Sequence, residues 1–127
     1  MAVLFRSMRD DGEGRPLCGP TARTLGVRPA GDVVVRDDGT VEPGTGGMSV
    51  AIDRTECRPA HRRPQAHGGW GPDPVWRIEE EDLPETLVIR RDPNDPSRHG
   101  FVEPVHAMTL QEYQEALATS RGMWVRA

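Results

Sequence analysis

Four side chains from separate stretches of the chain have chemistry that would suit one ligand. Arg6 ends the apolar run Val3-Leu4-Phe5, and its planar fork of donors matches a phosphate or a carboxylate. Ser49 follows Gly46-Gly47, where backbone without side chains would let a ligand approach closely. His99 and Glu103 stand four apart in His-Gly-Phe-Val-Glu-Pro, a spacing that puts both on one face of a strand. There an imidazole could bond a sugar hydroxyl, and a carboxylate could stabilise a developing oxocarbenium ion. Each residue also has an ordinary use: a surface arginine, a Gly-rich turn, a turn histidine and a solvent-facing glutamate.

Other constellations are weaker. No Gly-Lys-Ser/Thr follows the glycines, and the segment leads into a strand rather than a helix N-terminus, so a helix-dipole phosphate cradle is not expected. Cys57, His61 and His67 share one loop but fit no tight zinc spacing and show no fourth ligand, so no metal centre is expected. Trp70 and Trp76 flank a Gly-Pro-rich turn and could stack on a base, although Trp76 in an apolar strand reads as core. His106, beyond Pro104, has a slighter claim.

The elements that must position these groups are short. Strands are expected over Val3 to Met8, Met48 to Ile52, Val75 to Ile78, Leu87 to Ile89 and Gly100 to Val105. Val33-Val34-Val35 and Thr40-Val41, joined through Asp-Gly, read as a hairpin. Arg54 to Pro74 is a polar stretch with no period, of a length that is often functional inside a compact domain. The helix is expected from Leu110 to about Ser120, with Thr109 and Glu112 as a capping box and Met108 and Tyr113 as a hydrophobic staple. Gly122 supplies a stop. Leu110, Tyr113, Ala116 and Leu117 make its apolar face. The architecture implied is α+β, mostly short strands with a C-terminal helix, in one domain over 1–127.

Composition agrees. At 127 residues, 35% hydrophobic and 28% charged, the chain suits one domain, and 14 glycines with 12 prolines argue for many turns. No apolar stretch is long enough to span a membrane, and the opening residues reach Arg6 too soon for a signal peptide. The net charge of −4 disfavours general binding to nucleic acid or anionic membrane. All 16 basic residues are arginine, so a local phosphate site is compatible with an acidic protein. Cys18 and Cys57 cannot make a disulfide framework.

The order of these pieces resembles the small type VI secretion effector toxins with an ADP-ribosyltransferase-like fold. The resemblance rests on Leu4-Phe5-Arg6, on Thr45-Gly46-Gly47-Met48-Ser49-Val50, and on Asp82-Leu83-Pro84 before Leu87-Val88. It continues through His99, Phe101, Pro104 and Met108 to the helix from Leu110. Met48 stands where such chains can carry Thr, Gly100 follows His99 directly, and the Arg54 to Pro74 loop is this sequence's own. The resemblance implies two small sheets of short antiparallel strands around a cleft for NAD, the substrate whose ADP-ribose would pass to an unknown macromolecular acceptor. It implies that Arg6, Gly46, Gly47 and Ser49 bind NAD, Arg6 through the pyrophosphate or a ribose, and that His99, Glu103 and Ser49 serve catalysis. It also implies a cognate immunity protein or antitoxin as partner, and a cytoplasmic site of action reached without a signal peptide. Two other readings use the same chain. In one, His61, His67, His99 and Arg62-Arg63 cleave RNA; in the other, the domain is a non-catalytic interaction module.

Overall fold

The sequence builds its sheet from short apolar, β-prone runs. In the computed structural model, which describes residues 1–127, these are β1 (Val3–Ser7), β2 (Thr40–Val41), β3 (Met48–Ile52), β4 (Val75–Glu79), β5 (Leu87–Arg91), β6 (His99–Pro104), β7 (Met108–Thr109) and β8 (Val125–Arg126). The single α-helix, α1, spans Leu110–Thr119. Six strands form one antiparallel sheet in the order β5-β6-β3-β1-β4-β8, and β2 pairs with β7 as a separate two-stranded ribbon. The result is the α+β arrangement that the sequence implied, with a main antiparallel sheet, a small second sheet and a C-terminal helix, the two sheets being what the resemblance implied.

Register sets which side chains meet. Leu4 lies between Ile52 and Ile78, Arg6 opposite Trp76, and Met48 opposite Val102. Cross-strand partners share a face, so these residues make one row, buried with Tyr113, Leu117 and Trp124 in the core. Arg6 is the charged member of that apolar row. On the other face Ser49 pairs with Phe101, with His99 two residues earlier along the same strand.

The sheet forks between β1 and β3. The two strands pair only at Leu4–Ile52 and Phe5–Ala51. β1 then continues on β4 to Ser7–Val75, while β3 continues on β6 to Met48–Val102. Arg6 and Ser49 thus stand on opposite arms of a fork that has lost its ladder.

The helix starts as the sequence indicates. Thr109 Oγ1 accepts from Glu112 N at 3.1 Å, and Glu112 Oε1 accepts from Thr109 N at 3.0 Å. The helix ends where expected, at Thr119 with Ser120 as its cap, but not through Gly122. Gly122 is not in the left-handed region; the helix instead gives way at Ser120, whose hydroxyl bonds Leu117 O at 2.7 Å and accepts from the Trp124 indole at 3.0 Å. The hairpin expectation is also corrected. The turn forms, with Gly39 at φ 84° and Arg36 N bonded to Thr40 O at 2.8 Å, but Val33–Val35 is not a strand. Val34 and Val35 face solvent with nothing to bury against, and Thr40–Val41 pairs with β7 instead.

Candidate active site

The fork is filled from its β1 side by Arg6. Only 3% of this residue is exposed, and its donors go to main-chain oxygens. Nε bonds Thr24 O at 3.2 Å, and Nη1 bonds Ser49 O at 2.8 Å. Nη2 reaches the carbonyls of Thr24 at 3.0 Å, Ala22 at 3.3 Å, and Thr21 and Gly26 at 3.4 Å. The Ser49 carbonyl is available because β1 no longer pairs with β3 there. Arg6 therefore bridges the two arms and pins the irregular segment 21–26 to them. No carboxylate is paired with it. Burial, and next the charge of Arg58, pull its pKa down to about 9.

The Arg54 to Pro74 segment closes the fork from another side. It folds as short 3₁₀ turns, Thr55–Cys57, Ala60–Arg62 and Gln65–His67. The hydroxyl of buried Ser7, on β1, donates to Arg62 O, and Arg62 Nη2 donates to Ala22 O, which fastens the loop to both the strand and segment 21–26. Between the turns lies Arg58, 7% exposed, whose Nε has no hydrogen-bond partner. Burial and then neighbouring Arg62 pull its pKa down to about 10.

Together these groups enclose a cavity of about 430 Å³ whose walls include Arg6, Arg28, Arg58 and Arg62, against the carboxylates of Asp32 and Asp95. Asp32 is already engaged by Arg28, with Nη2 to Oδ1 at 2.9 Å. An acidic protein thus carries a cavity with an excess of positive charge, which concentrates anions.

The β3–β6 arm contributes Ser49 and His99, which both line this cavity. His99 Nδ1 lies 2.9 Å from Asp92 Oδ2, and its ring meets Phe101 edge-on at 5.0 Å. The Asn94 N–H, and next His99, hold the Asp92 carboxyl below its ordinary value. An ionised carboxylate only accepts, so the ring proton sits on Nδ1 and Nε2 is left as the open nitrogen.

Glu103 does not line the cavity. It is 1% exposed, bonded by Arg90 Nε at 2.8 Å and by Gly44 N at 3.1 and 3.2 Å. Sharing a strand face with His99 was not enough to bring it to the same place. Gly46 and Gly47 do not line the cavity either. Their missing side chains admit the protein's own backbone: a Cβ on Gly46, at φ 125°, would lie 2.4 Å from Asp32 O, and one on Gly47 would lie 2.6 Å from Val102 O. Cys57 and His61 reach the cavity while His67 does not, and Trp70 is exposed away from it. Trp76 is core, its indole donating to Met8 O at 2.8 Å.

Arg58, Arg28 and Asp92 were not singled out from the sequence. Arg58 looks like any other arginine in a polar loop. Asp92 had a visible cue, since Asp-Pro-Asn-Asp-Pro before a strand folds the chain back on itself and brings Asp92 to His99.

No curated protein and no solved structure matches the chain. A family model described as Tse2 ADP-ribosyltransferase toxin matches residues 2–124, a span that contains every residue lining the cavity. The chain belongs to the Tse2 ADP-ribosyltransferase toxin family and is an ADP-ribosyltransferase-like toxin of the type VI effector class.

Proposed function

We propose that the fork cavity is the NAD site and that ADP-ribose is transferred from it to a macromolecular acceptor. The observation that carries this reading is that Arg6, Ser49 and His99, from three different strands, line one cavity with an excess of positive charge. A cavity of about 430 Å³ lies within the ordinary range for small-molecule sites of roughly 300–1,000 Å³. The charge excess suits a dinucleotide diphosphate, so the residues present fit the group.

The reaction this ligand supplies is cleavage of the nicotinamide–ribose bond through an oxocarbenium-like transition state. His99, held by Asp92, offers Nε2 to a ribose hydroxyl and so orients the sugar. Ser49, on the same arm, supplies a hydroxyl beside it. Arg6 keeps the arms apart and adds its positive charge at the apex, while Glu103 braces the Gly44 loop from behind. Among the carboxylates, Asp95 is the one on the cavity wall with no arginine in salt-bridge range, and it is better sited than Glu103 to face positive charge on the sugar. A cognate immunity protein that covers the cavity mouth is the partner that fits a toxin of this family.

The test is nicotinamide release from NAD by the purified protein, alone and with His99→Ala. The reading requires release by the parent chain and its loss, on the order of a hundredfold, in the folded variant. Release that is unaffected by His99→Ala would remove the cavity from the reaction.

A further inference from the structure

We propose that Arg58, supported by Arg62, is the principal ligand for the diphosphate group, and that Arg6 holds the cavity wall instead. The inference rests on the NAD reading above and assigns the anion subsite within it to the Arg54 to Pro74 loop.

Arg6 has little left to offer a phosphate. All three of its nitrogens already donate to main-chain oxygens of Ser49 and segment 21–26. Beyond one remaining Nη1 proton, a phosphate oxygen would compete with those carbonyls, and displacing them would release the segment that forms one wall.

Arg58 is in the opposite condition. It is as well buried as a core side chain, yet its Nε has no partner and no carboxylate forms a salt bridge with it. Asp32, the acidic group nearest in character, is spent on Arg28. A buried guanidinium without a counterion is unfavourable, and its nearest charged influence is Arg62, which makes matters worse. Such a group calls for a water, an ion or a ligand that completes it. Its position on the cavity wall identifies what that is. A dianionic group with several acceptor oxygens would supply the missing counterion and offset the repulsion between the two arginines in one step. Two adjacent guanidinium groups match two linked phosphates better than one, Arg58 with no donor spent and Arg62 with the donors not given to Ala22 O. Asp95, the remaining acidic group of the cavity, belongs to the other end, where its carbonyl accepts from His99 N at 2.9 Å.

The experiment is calorimetric titration of the parent chain, Arg58→Met and Arg58→Lys with inorganic pyrophosphate, NAD and adenosine, together with a melting curve of each protein without ligand. Loss of charge-assisted bonds should weaken pyrophosphate and NAD by roughly tenfold to a hundredfold in Arg58→Met. Adenosine binding should not change, and Arg58→Lys should recover part of the loss. Without ligand, Arg58→Met should melt no lower than the parent chain, since it removes an unpaired buried charge. A structural role predicts the reverse: a lower melting point with unchanged anion affinity, and that result would overturn the assignment. NAD binding by the parent chain that Arg58→Met leaves intact overturns the assignment but spares the NAD reading. Arg58-dependent binding of pyrophosphate with no binding of NAD would support the anion site and reject NAD as its occupant.

Discussion

Arg90 Nε stands 2.8 Å from Glu103 Oε2, and the same guanidinium lies 4.9 Å above the Phe101 ring. Glu103 is thereby held between β5, β6 and the Gly44 loop, off the wall of the fork cavity. Glu103→Gln should cost about 2 kcal/mol of stability, because Arg90 is partly exposed and keeps some solvation while the buried amide loses one charged bond. Urea unfolding measures this. The rate of NAD cleavage per folded molecule should stay at the parent level, and a drop in rate without a drop in stability would return Glu103 to the reacting centre.

Arg6→Ala tests the bridge. Removing the guanidinium strands the carbonyls of Thr24 and Ser49 in a buried setting and unties segment 21–26, so the loss should be on the order of 3 kcal/mol or more. A phosphate-only role predicts a stable protein with lost affinity. Thermal unfolding with and without NAD separates the two, and a melting point equal to that of the parent chain would contradict the bridging account.

Asp92→Asn tests how His99 is set. The amide can no longer hold the Nδ1 proton by charge, so either tautomer becomes accessible. NAD cleavage should slow by about tenfold or more with KM little changed, and Asp92→Glu should restore part of it. Equal effects on kcat and KM, with no rescue by glutamate, would mean that Asp92 only shapes the turn.

The capping box gives a prediction independent of the reaction. Thr109→Ala should cost about 1 kcal/mol. Hydrogen bonding to Thr109 holds the Glu112 carboxyl below its ordinary value of 4.5. Its contribution is therefore present above pH 4.5 and disappears as the pH falls through the lowered folded-state value. The stability difference between the parent chain and Glu112→Gln should shrink steadily as unfolding is measured from pH 7 toward pH 3. A difference that persists at the acid end would show that the carboxylate is not what caps the helix.

What could be read from the sequence follows from the range of the interactions involved. Strands β1, β3 and β6 are short β-prone runs, and the helix carries its cap, so local pattern sufficed for both. Val33–Val35 misled because a β-prone run needs a partner, and Thr40–Val41 found a better one in β7. Gly46 and Gly47 were legible as positions without room for a side chain, but not as to what takes the room, since Asp32 O and Val102 O arrive from distant segments. Residue type and local context marked Arg6, Ser49 and His99 as candidates. Arg58 was hidden because nothing local distinguishes it from Arg54, Arg62 or Arg63. Its difference is burial without a partner, which only the folded loop creates.

A crystal structure with an NAD analogue whose nicotinamide bond cannot break shows directly whether NAD sits in the fork between β1 and β3. The account predicts its diphosphate within hydrogen-bond distance of Arg58 and Arg62, with the nicotinamide ribose against His99 Nε2 and Ser49. An analogue bound elsewhere, or bound in the fork with its diphosphate turned away from Arg58, would contradict it.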